Sequence, residues 1–288
     1  MNMMSAQDAA PSDLSGTEDP LLDMAGALEA RLATTEAEIE AAQRLRYEVF
    51  YLEMNATPSP EMQAQGRDFD QYDPYCRHML VVDRAHGDRI IGTYRLTSGE
   101  AAARSPHGFY TAGEYDISDM LRQRKGQKLL ELGRSCVLKD YRTGPTMQLL
   151  WRGIFVYLLR HKIDLMFGCA SLPGTDPSQL ALQLSFLYHF HLAPPGEIVN
   201  ALPDRAVPMN MMPKEAIDEA AALHALPPLV KGYIRSGARV GNGAVIDHQF
   251  GTTDVFIYFP ISNLNPRWAA HLRRKSSADK SGKTGDAP

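Results

Sequence analysis

Charged residues interrupt two apolar, strand-like segments of this sequence. Arg95 lies in the segment IIGTYRL, and both Glu131 and Arg134 lie in the segment LLELGRSCVL. A charged side chain on a buried strand costs several kcal/mol of folding free energy unless it pairs with an opposite charge or takes part in binding or catalysis. Asp70 and Asp73 precede these segments in a polar stretch and supply further charge of the opposite sign to the arginines. The pattern predicts a polar site cut into a hydrophobic sheet, and a set of charges of both signs suits a zwitterionic ligand.

Strict alternation along the second segment separates its two charges. In a regular strand, Glu131 and Arg134 point to opposite faces of the sheet. A β-bulge would bring both side chains to one site, and bulges are common beside active sites. The alternative interpretation is structural, with Glu131 and Arg134 forming ion pairs with Arg95, Arg46 or the two aspartates. This alternative stays open for any single residue, but buried ion pairs rarely improve stability over apolar residues, so several of them together favour a site for a zwitterion.

The turn Arg142-Thr143-Gly144 lies between a predicted strand and a predicted helix. A helix N-terminus carries free N–H donors and partial positive charge, so this turn could direct backbone N–H groups at an anion. As a phosphate loop it is a weak motif because it holds a single glycine, and the alternative is an ordinary connecting turn. Three widely spaced cysteines without a C-x-x-C pair predict neither a metal site nor a disulfide framework.

Composition excludes several classes of protein. A net charge of -4 lacks the basic excess of a nucleic-acid binder. The acidic N-terminus is not that of a signal peptide, and no apolar run has the length that spans a bilayer. We expect a cytoplasmic protein whose contact with a membrane, if it has one, is peripheral. The basic, aromatic stretch 265–275 could lie on anionic lipid, although a solvated closing helix is the simpler reading.

The helices and strands that must position these residues are predicted from the spacing of apolar residues and from the glycine, proline and capping residues that mark their ends. Residues 1–22 and 276–288 have the composition of disordered tails, and residues 23–275 form one domain with a C-terminal extension from about residue 195. The predicted strands and helices are a strand at 28–33, a helix from the capping box at Thr35 through Phe50, a long loop at 53–75, a hairpin at 78–84 and 89–97, a strand at 128–138, a helix at 145–161, a strand at 164–170, a helix from about 176, a short helix at 214–223 and a strand at 255–259. Their order predicts an α/β (α+β) fold, a mixed sheet flanked by helices.

Four motifs together resemble a known family. They are Arg46-Tyr-Glu-Val-Phe50, Asp70-Gln-Tyr-Asp73, Ile91-Gly-Thr-Tyr-Arg95-Leu and Glu131-Leu-Gly-Arg134-Ser. The sequence resembles the L-ornithine N-alpha-acyltransferases, a hemolysin-like branch of the GNAT superfold related to the acyl-homoserine lactone synthases. The resemblance runs from about Leu28 to Arg267, and the block from Asp247 to Asp254 separates this branch from the shorter lactone synthases.

The resemblance implies a GNAT-like central mixed sheet and transfer of a 3-hydroxyacyl chain from acyl carrier protein to the α-amine of L-ornithine, giving lyso-ornithine lipid. It also implies no bound cofactor, with the phosphopantetheine thioester as co-substrate, and no metal. The residues that it implicates are Glu131 as general base and Arg134 as its catalytic partner, Arg46, Asp70, Asp73, Arg95 and Ser135 in substrate binding, and Arg142, Thr143 and Gly144 in phosphopantetheine binding. In this scheme Arg95 or Arg134 takes the ornithine carboxylate, Asp70 or Asp73 takes the side-chain ammonium, and backbone N–H groups near 135–138 hold the oxyanion.

Two other functions stay open at this point. The nearest enzyme is a lactone synthase that takes S-adenosylmethionine as its amine substrate. From a different class, the chain could be a non-catalytic module that binds acyl carrier protein or a membrane surface.

Overall fold

One mixed β-sheet runs through the fold, and helices cover it. In this computed structural model, residues 18–267 and residue 270 are described. The spatial order of the strands is β1-β2-β3-β4-β6-β7-β11-β10-β8-β5, with β9 paired to β10. Their bounds are Leu21–Ala25 (β1), Leu28–Leu32 (β2), Arg77–Asp83 (β3), Arg89–Ser98 (β4), Tyr115–Asp116 (β5), Leu129–Val137 (β6), Leu165–Pro173 (β7), Asn200–Ala201 (β8), Ala206–Val207 (β9), Arg239–Asp247 (β10) and Thr252–Pro260 (β11). The predicted mixed sheet with flanking helices is therefore confirmed.

Eight α-helices accompany the sheet in the described part of the chain. They are Glu36–Tyr47 (α1), Pro60–Gln65 (α2), Gly99–Arg104 (α3), Ser118–Gln123 (α4), Gly144–His161 (α5), Ala181–His191 (α6), Glu219–Ala225 (α7) and Pro228–Ser236 (α8). The longest, α5, packs against β1, β2 and β3 through buried apolar residues such as Leu149 and Ile154. No helix among the described residues has both the length and the apolar character needed to cross a membrane.

The N-terminal part of the sheet starts earlier than predicted. Leu21 opens β1, which pairs antiparallel with β2, so the first strand begins inside the predicted tail of residues 1–22. The apolar pattern of β1 is only five residues long, and Asp23 interrupts it. That aspartate is half-buried, and the Nε of Arg152 pairs with its carboxylate at 2.7 Å. A charge paired by a residue on a distant helix is not visible in the local pattern.

Helix α1 begins as predicted. The side chain of Thr35 accepts a hydrogen bond from the backbone N–H of Glu38 and caps the helix. The carboxylate of Glu38 does not return to Thr35 and instead binds the backbone N–H of Thr34, so only half of the capping box forms. After Tyr47 the chain continues as a π-helix over Glu48–Glu53 and carries the helix three residues beyond the predicted end.

The predicted long loop at 53–75 is partly wrong. Residues Pro60–Gln65 form α2, with Ser59 as the N-cap and Pro60 in the first turn. Residues Asp73–Tyr75 form a short 3₁₀ turn. The stretch between them is irregular, and it carries the acidic residues of the site described below.

The central strands match the predicted hairpin and long strand. Strands β3 and β4 pair antiparallel, and β6 lies beside β4. Between Thr93 and Arg95 of β4 the register with β6 shifts, since Thr93 faces Cys136 whereas Arg95 faces Gly133. The extra residue in β6 is the bulge that the sequence required, and Arg134 within it adopts a left-handed φ of 52°.

Strands β6 and β7 separate beyond the bulge. They pair in parallel only from Leu129 to Glu131 on β6, and β7 then continues against β11. Gly168 on β7 stands at the point of separation, where an added Cβ would lie 2.3 Å from the carbonyl oxygen of Leu132. The half-buried residues Gly133 and Ser135 follow on β6. A gap lined by strand backbone therefore opens between β6 and β7.

Several expectations fall outside the described residues. The predicted disordered tails lie almost wholly there, as does most of the stretch 265–275, so its predicted contact with lipid stays a prediction.

Candidate active site

A network of arginines and aspartates lies beside the gap between β6 and β7, on the side of β4 and β6. The Nη2 of Arg46 lies 2.7 Å from Oδ2 of Asp73, and the Nη1 of Arg95 lies 2.6 Å from Oδ1 of Asp70 and 3.2 Å from Oδ1 of Asp73. The Nη2 of Arg134 lies 3.1 Å from Oδ2 of Asp70. The five residues come from α1, the irregular segment before β3, β4 and β6, and the structure brings all of them together.

Asp68 is a member of the network that the sequence analysis missed. Its Oδ2 lies 2.7 Å from Nε of Arg46 and 3.4 Å from Nε of Arg134, and the hydroxyl of Tyr51 donates to its Oδ1. In the sequence it is one carboxylate in a polar stretch that has the composition of a solvated loop. Its burial becomes visible only when the 22-residue separation from Arg46 closes in the fold.

The aspartates therefore hold arginines. Burial alone would raise the pKa of Asp73, but Arg46 and Arg95 outweigh it and keep this pKa well below its ordinary value. Burial likewise opposes ionisation of Asp70, and Arg95 and Arg134 lower its pKa. Both carboxylates are thus fixed as anions whose oxygens are taken up by guanidinium groups, which leaves little capacity for the substrate ammonium that the sequence analysis assigned to them.

Arg134 lies at the surface of the network that faces the gap. Its guanidinium stacks on the rings of Tyr110 and Phe250, at 5.0 and 4.8 Å from the ring centroids. Its side chain keeps 12% of its surface exposed, whereas that of Arg46 is wholly buried and that of Arg95 is 3% exposed. Of the three arginines, Arg134 is the one that a ligand in the gap can reach without rearrangement. Arg46 lies beneath the other two, and its predicted contact with substrate stays a prediction.

Glu131 lies beside the arginines and binds backbone. Its Oε1 accepts the N–H of Thr111 at 2.7 Å, and its Oε2 accepts the N–H of Tyr110 at 3.1 Å. Burial raises the pKa of the carboxyl, and the donors from Thr111 and Tyr110 oppose that rise. Because each carboxylate oxygen has a second acceptor site, the group can still take a proton. Tyr110 contacts both Glu131 and Arg134, since its backbone N–H donates to Glu131 and its ring covers the guanidinium of Arg134.

The structure places Ser135 beside two tyrosines. Its side chain lies beside the hydroxyl of Tyr94, which shares a hydrogen bond of 2.6 Å with the hydroxyl of Tyr233. Burial raises the pKa of Tyr94 to about 12, so this hydroxyl stays protonated at neutral pH. Of the backbone donors predicted to hold an oxyanion, the N–H of Leu138 is already bound to the carbonyl of Ile91 and is excluded.

The turn 142–144 leads into α5, as predicted. Arg142 makes a two-pronged ion pair with Glu53, at 2.5 and 2.7 Å, and its Nε donates to the carbonyl of Val137. Thr143 is the N-cap residue but makes no side-chain cap hydrogen bond. Thr143 and Gly144 are exposed, but the N–H of Thr143 already donates to the carbonyl of Tyr141 at 2.7 Å and Pro145 has no N–H, so Gly144 carries the exposed backbone donor of this turn.

A second acidic group lies on the other side of Tyr110. Glu114, Asp247 and Asp254 are all buried, and one carboxylate oxygen from each lies within 4.8 Å of the others. Burial raises the pKa of Glu114 to about 7, with a further contribution from the charge on Asp254. Burial also raises the pKa of Asp254 to about 6. The sequence analysis assigned no chemistry to these residues, which single carboxylates in separate segments do not reveal.

A large cavity lies at a different place in the fold. It has a volume of about 1630 Å³ and is lined at its rim by basic side chains, including Arg77, Arg124 and Lys128. It lies near the start of β6 and the end of α5, and none of the arginine network lines it. Size alone does not make it the reaction site, because the charges suited to an amino acid converge at the other end of β6.

Comparisons with known proteins show which family the chain is similar to. Residues 45–152 match the Acetyltransferase (GNAT) domain, which agrees with the predicted GNAT-like fold. The chain is 48% identical over 255 residues to an L-ornithine N(alpha)-acyltransferase of Brucella abortus, covering 87% of this chain and 90% of the relative. It is 45% identical over 264 residues to an L-ornithine N(alpha)-acyltransferase of Agrobacterium fabrum, covering 90% of each.

Solved structures give a more distant likeness. A CoA-dependent acyl-homoserine lactone synthase, BjaI, solved with SAM and isopentyl-CoA, is 15% identical, covers 88% of each chain and has a TM-score of 0.45.

Proposed function

This chain belongs to the family of L-ornithine N(alpha)-acyltransferases, and on that premise we propose that it transfers a 3-hydroxyacyl chain from acyl carrier protein to the α-amine of L-ornithine, the first step of ornithine lipid synthesis. The observation that carries the proposal is the pair formed by Glu131 and Arg134. A bulge in β6 turns a carboxylate and a guanidinium toward the same opening, where β6 and β7 part.

Arg134 suits the carboxylate of the amino acid. A guanidinium offers a planar fork of N–H donors that matches a carboxylate in two-pronged geometry. Asp68 and Asp70 hold Arg134 from behind, and Tyr110 and Phe250 hold its two faces. Arg46, Arg95 and Asp73 form the layer beneath and keep Arg134 in place, which is a positioning role.

Glu131 suits the general base. The α-ammonium must lose a proton before its nitrogen can attack a thioester, and a carboxylate whose pKa is raised by burial is a better acceptor than a solvated one. Glu131 takes the proton directly or through a water molecule. The neutral amine then attacks the thioester carbonyl, the tetrahedral oxyanion collapses, the amide forms, and the carrier leaves as a thiol after proton transfer.

The gap between β6 and β7 suits the thioester arm. Beyond Glu131 the edge of β6 that faces β7 has no partner strand, so its backbone groups can bind an extended amide-containing arm and the oxyanion. The arm of a carrier protein bears one phosphate, and the exposed Gly144 in the first turn of α5 offers a backbone N–H donor for it, with Arg142 beside it.

Product analysis tests the reaction. The purified protein is incubated with 3-hydroxyacyl carrier protein, with L-ornithine or S-adenosylmethionine as the amine, and products are identified by mass spectrometry. We expect N-acylornithine and free carrier protein. An acyl-homoserine lactone would instead identify a lactone synthase. Turnover of acyl-CoA at the same kcat/KM as acyl carrier protein would overturn the choice of donor while leaving the acceptor intact.

Two variants test the assigned roles. Glu131→Gln and Arg134→Ala should each abolish acylation of ornithine while the protein stays folded by circular dichroism. Any residual activity should show a lowered kcat in Glu131→Gln, and a raised KM for ornithine as well in Arg134→Ala. Full turnover in either folded variant removes that residue from its proposed role.

A further inference from the structure

We call the three carboxylates of Glu114, Asp247 and Asp254 the acidic trio. The proposed reaction gives them no role. Glu114 precedes β5, Asp247 ends β10, and Asp254 lies in β11. All three are buried, with 3 to 9% of their surfaces exposed. Three carboxylates of like sign in one buried place are costly unless a cation joins them.

No cation of the described chain joins the trio by an ion pair. The neighbouring arginines are engaged elsewhere, since Arg134 pairs with Asp70 and Arg205 donates to the carbonyl of Gly113 at 2.7 Å. Hydroxyl and backbone donors satisfy part of the trio, including Thr252 to Asp254 and the N–H groups of Gln249 and Phe250 to Asp247.

One buried oxygen of the trio has no donor at all. The Oε2 atom of Glu114 is sealed from solvent and lacks a hydrogen-bond partner among the described residues. Leaving a buried carboxylate oxygen unpaired costs about 1 to 3 kcal/mol or more, so such atoms in folded proteins require an explanation. The same imbalance appears in the pKa of Glu114, which burial and the charge on Asp254 raise to about 7. The trio lacks one positive, hydrogen-donating group.

The spacing of the trio fits an ammonium group. Three points no more than 4.8 Å apart share a centre about 2.8 Å or less from each, which is the length of an N–H···O hydrogen bond. A primary ammonium has three N–H donors for three acceptors. Ca²⁺ takes six to eight oxygen ligands, whereas an ammonium needs only three acceptors.

The trio adjoins the proposed reaction site through two short connections. The N–H of Thr111 donates to Glu131, and the carbonyl of Thr111 accepts the N–H of Glu114 at 3.0 Å. Asp247 accepts the N–H of Phe250, whose ring covers the guanidinium of Arg134. A molecule held by Arg134 and Glu131 therefore has the trio beside it.

The way to the trio is partly open. On the face of β7 that bears Phe167, the next outward residues are Cys169, which is half-buried, and Ser171, which is exposed. Both lie against the trio, Cys169 beside Glu114 and Ser171 opposite Asp254 in the pairing of β7 with β11. An amino-acid side chain can thus approach the carboxylates along the gap between β6 and β7.

We propose that the acidic trio is the subsite for the side-chain ammonium of the amino-acid acceptor and that it makes the enzyme select basic amino acids. This inference rests on the proposed function and specifies its acceptor site. It replaces the sequence-based assignment of the ammonium to Asp70 or Asp73, whose oxygens are bound by arginines.

The test compares L-ornithine with L-norvaline, which has the same carbon chain without the terminal ammonium. The wild-type protein should favour ornithine strongly in kcat/KM, because a site built to bind a polar group discriminates against a substrate that lacks it. In Glu114→Gln and, separately, Asp254→Asn, the KM for ornithine should rise about tenfold or more with little change in kcat. Activity toward norvaline should stay the same or rise. Glu215→Gln, which changes an exposed glutamate on a different surface, is the matched control.

Each other outcome has a distinct meaning. If the wild-type protein acylates no ornithine, the proposed function fails, whereas equal use of ornithine and norvaline overturns only the subsite. Equal losses of kcat on both substrates in the variants overturn the subsite and indicate a role in the chemical step. Thermal unfolding with CaCl₂ or MgCl₂ supplies a readout independent of activity. A midpoint raised by a metal ion in the wild-type protein and unchanged in Glu114→Gln would show a metal site instead.

Discussion

The guanidinium of Arg46 and the carboxylate of Asp73 form an ion pair from which solvent is excluded, with Nη2 and Oδ2 2.7 Å apart. Arg46 also donates to the backbone carbonyl of Asp68, so one side chain of α1 fixes the irregular acidic segment against the sheet. A buried pair of this kind adds little stability over apolar residues, but removal of one partner leaves a buried charge uncompensated.

We therefore expect Arg46→Ala to lower the free energy of unfolding by about 3 to 5 kcal/mol. Urea denaturation followed by circular dichroism measures the change. Arg44→Ala is the control on the same helix, because Arg44 forms an exposed i,i+4 pair with Glu40 that is worth under about 1 kcal/mol. Equal losses in the two variants would show that the buried network does not organise the segment.

The network also shows what a sequence can reveal. Charges inside apolar strands identified Arg95, Glu131 and Arg134, because burial of those segments follows from local pattern alone. The conflict between alternation and a shared site indicated a bulge in β6, and the register shift confirms it. Arg46 was named first only as an ion-pair partner in the structural alternative, and its assignment to substrate binding came from the family motifs, although it lies on the buried face of α1.

Residues joined only by tertiary contact escaped detection. Asp68 pairs with a residue 22 positions away, and the members of the acidic trio are separated by up to 140 positions. Each is a single carboxylate next to a turn or loop, where a solvated or capping role is the ordinary expectation. Similarly, the sequence singled out Asp70 and Asp73 together with the arginines, but it does not show that the arginines already bind their oxygens.

The left-handed backbone of Arg134 gives a second prediction. A φ of 52° costs a non-glycine residue roughly 1 to 2 kcal/mol, and glycine adopts it freely. Both Arg134→Gly and Arg134→Ala remove the guanidinium, so both should be inactive. Arg134→Gly should nevertheless be more stable than Arg134→Ala by about 1 kcal/mol in urea denaturation. Equal stability, or a more stable alanine variant, would argue against the strained bulge.

The point where β6 and β7 separate gives a third prediction. In Gly168→Ala the new methyl group would meet the carbonyl oxygen of Leu132 at 2.3 Å, which forces the two strands apart. We expect a loss of about 1 to 3 kcal/mol in the free energy of unfolding, together with a higher KM for the acyl donor. Gly113→Ala is the control for stability, because a Cβ there meets no atom within 4 Å. A Gly168→Ala protein with wild-type stability and KM would contradict the tight approach of these strands.

The raised pKa values in the acidic trio give a prediction about pH. The pKa of Glu114 rises from 4.5 in its ordinary state to about 7. Between these values the folded protein binds more protons than the unfolded chain, so the free energy of unfolding falls as pH increases through this window. Glu114 contributes about 3 kcal/mol to this fall at most. The ionisable groups that face it are those of Asp254, Cys169, Asp247, Arg205, Tyr110 and Tyr115.

Glu114→Gln should remove this part of the pH dependence, because the amide does not titrate. The free energy of unfolding, measured in urea at pH 5 and pH 7.5, should decrease less in this variant than in the wild-type protein, and Glu215→Gln should decrease as the wild type does. The difference isolates Glu114, since histidines and other carboxylates titrate in both proteins. Parallel pH profiles in all three proteins would mean that Glu114 keeps its ordinary pKa and that the trio is already balanced by charge within the fold.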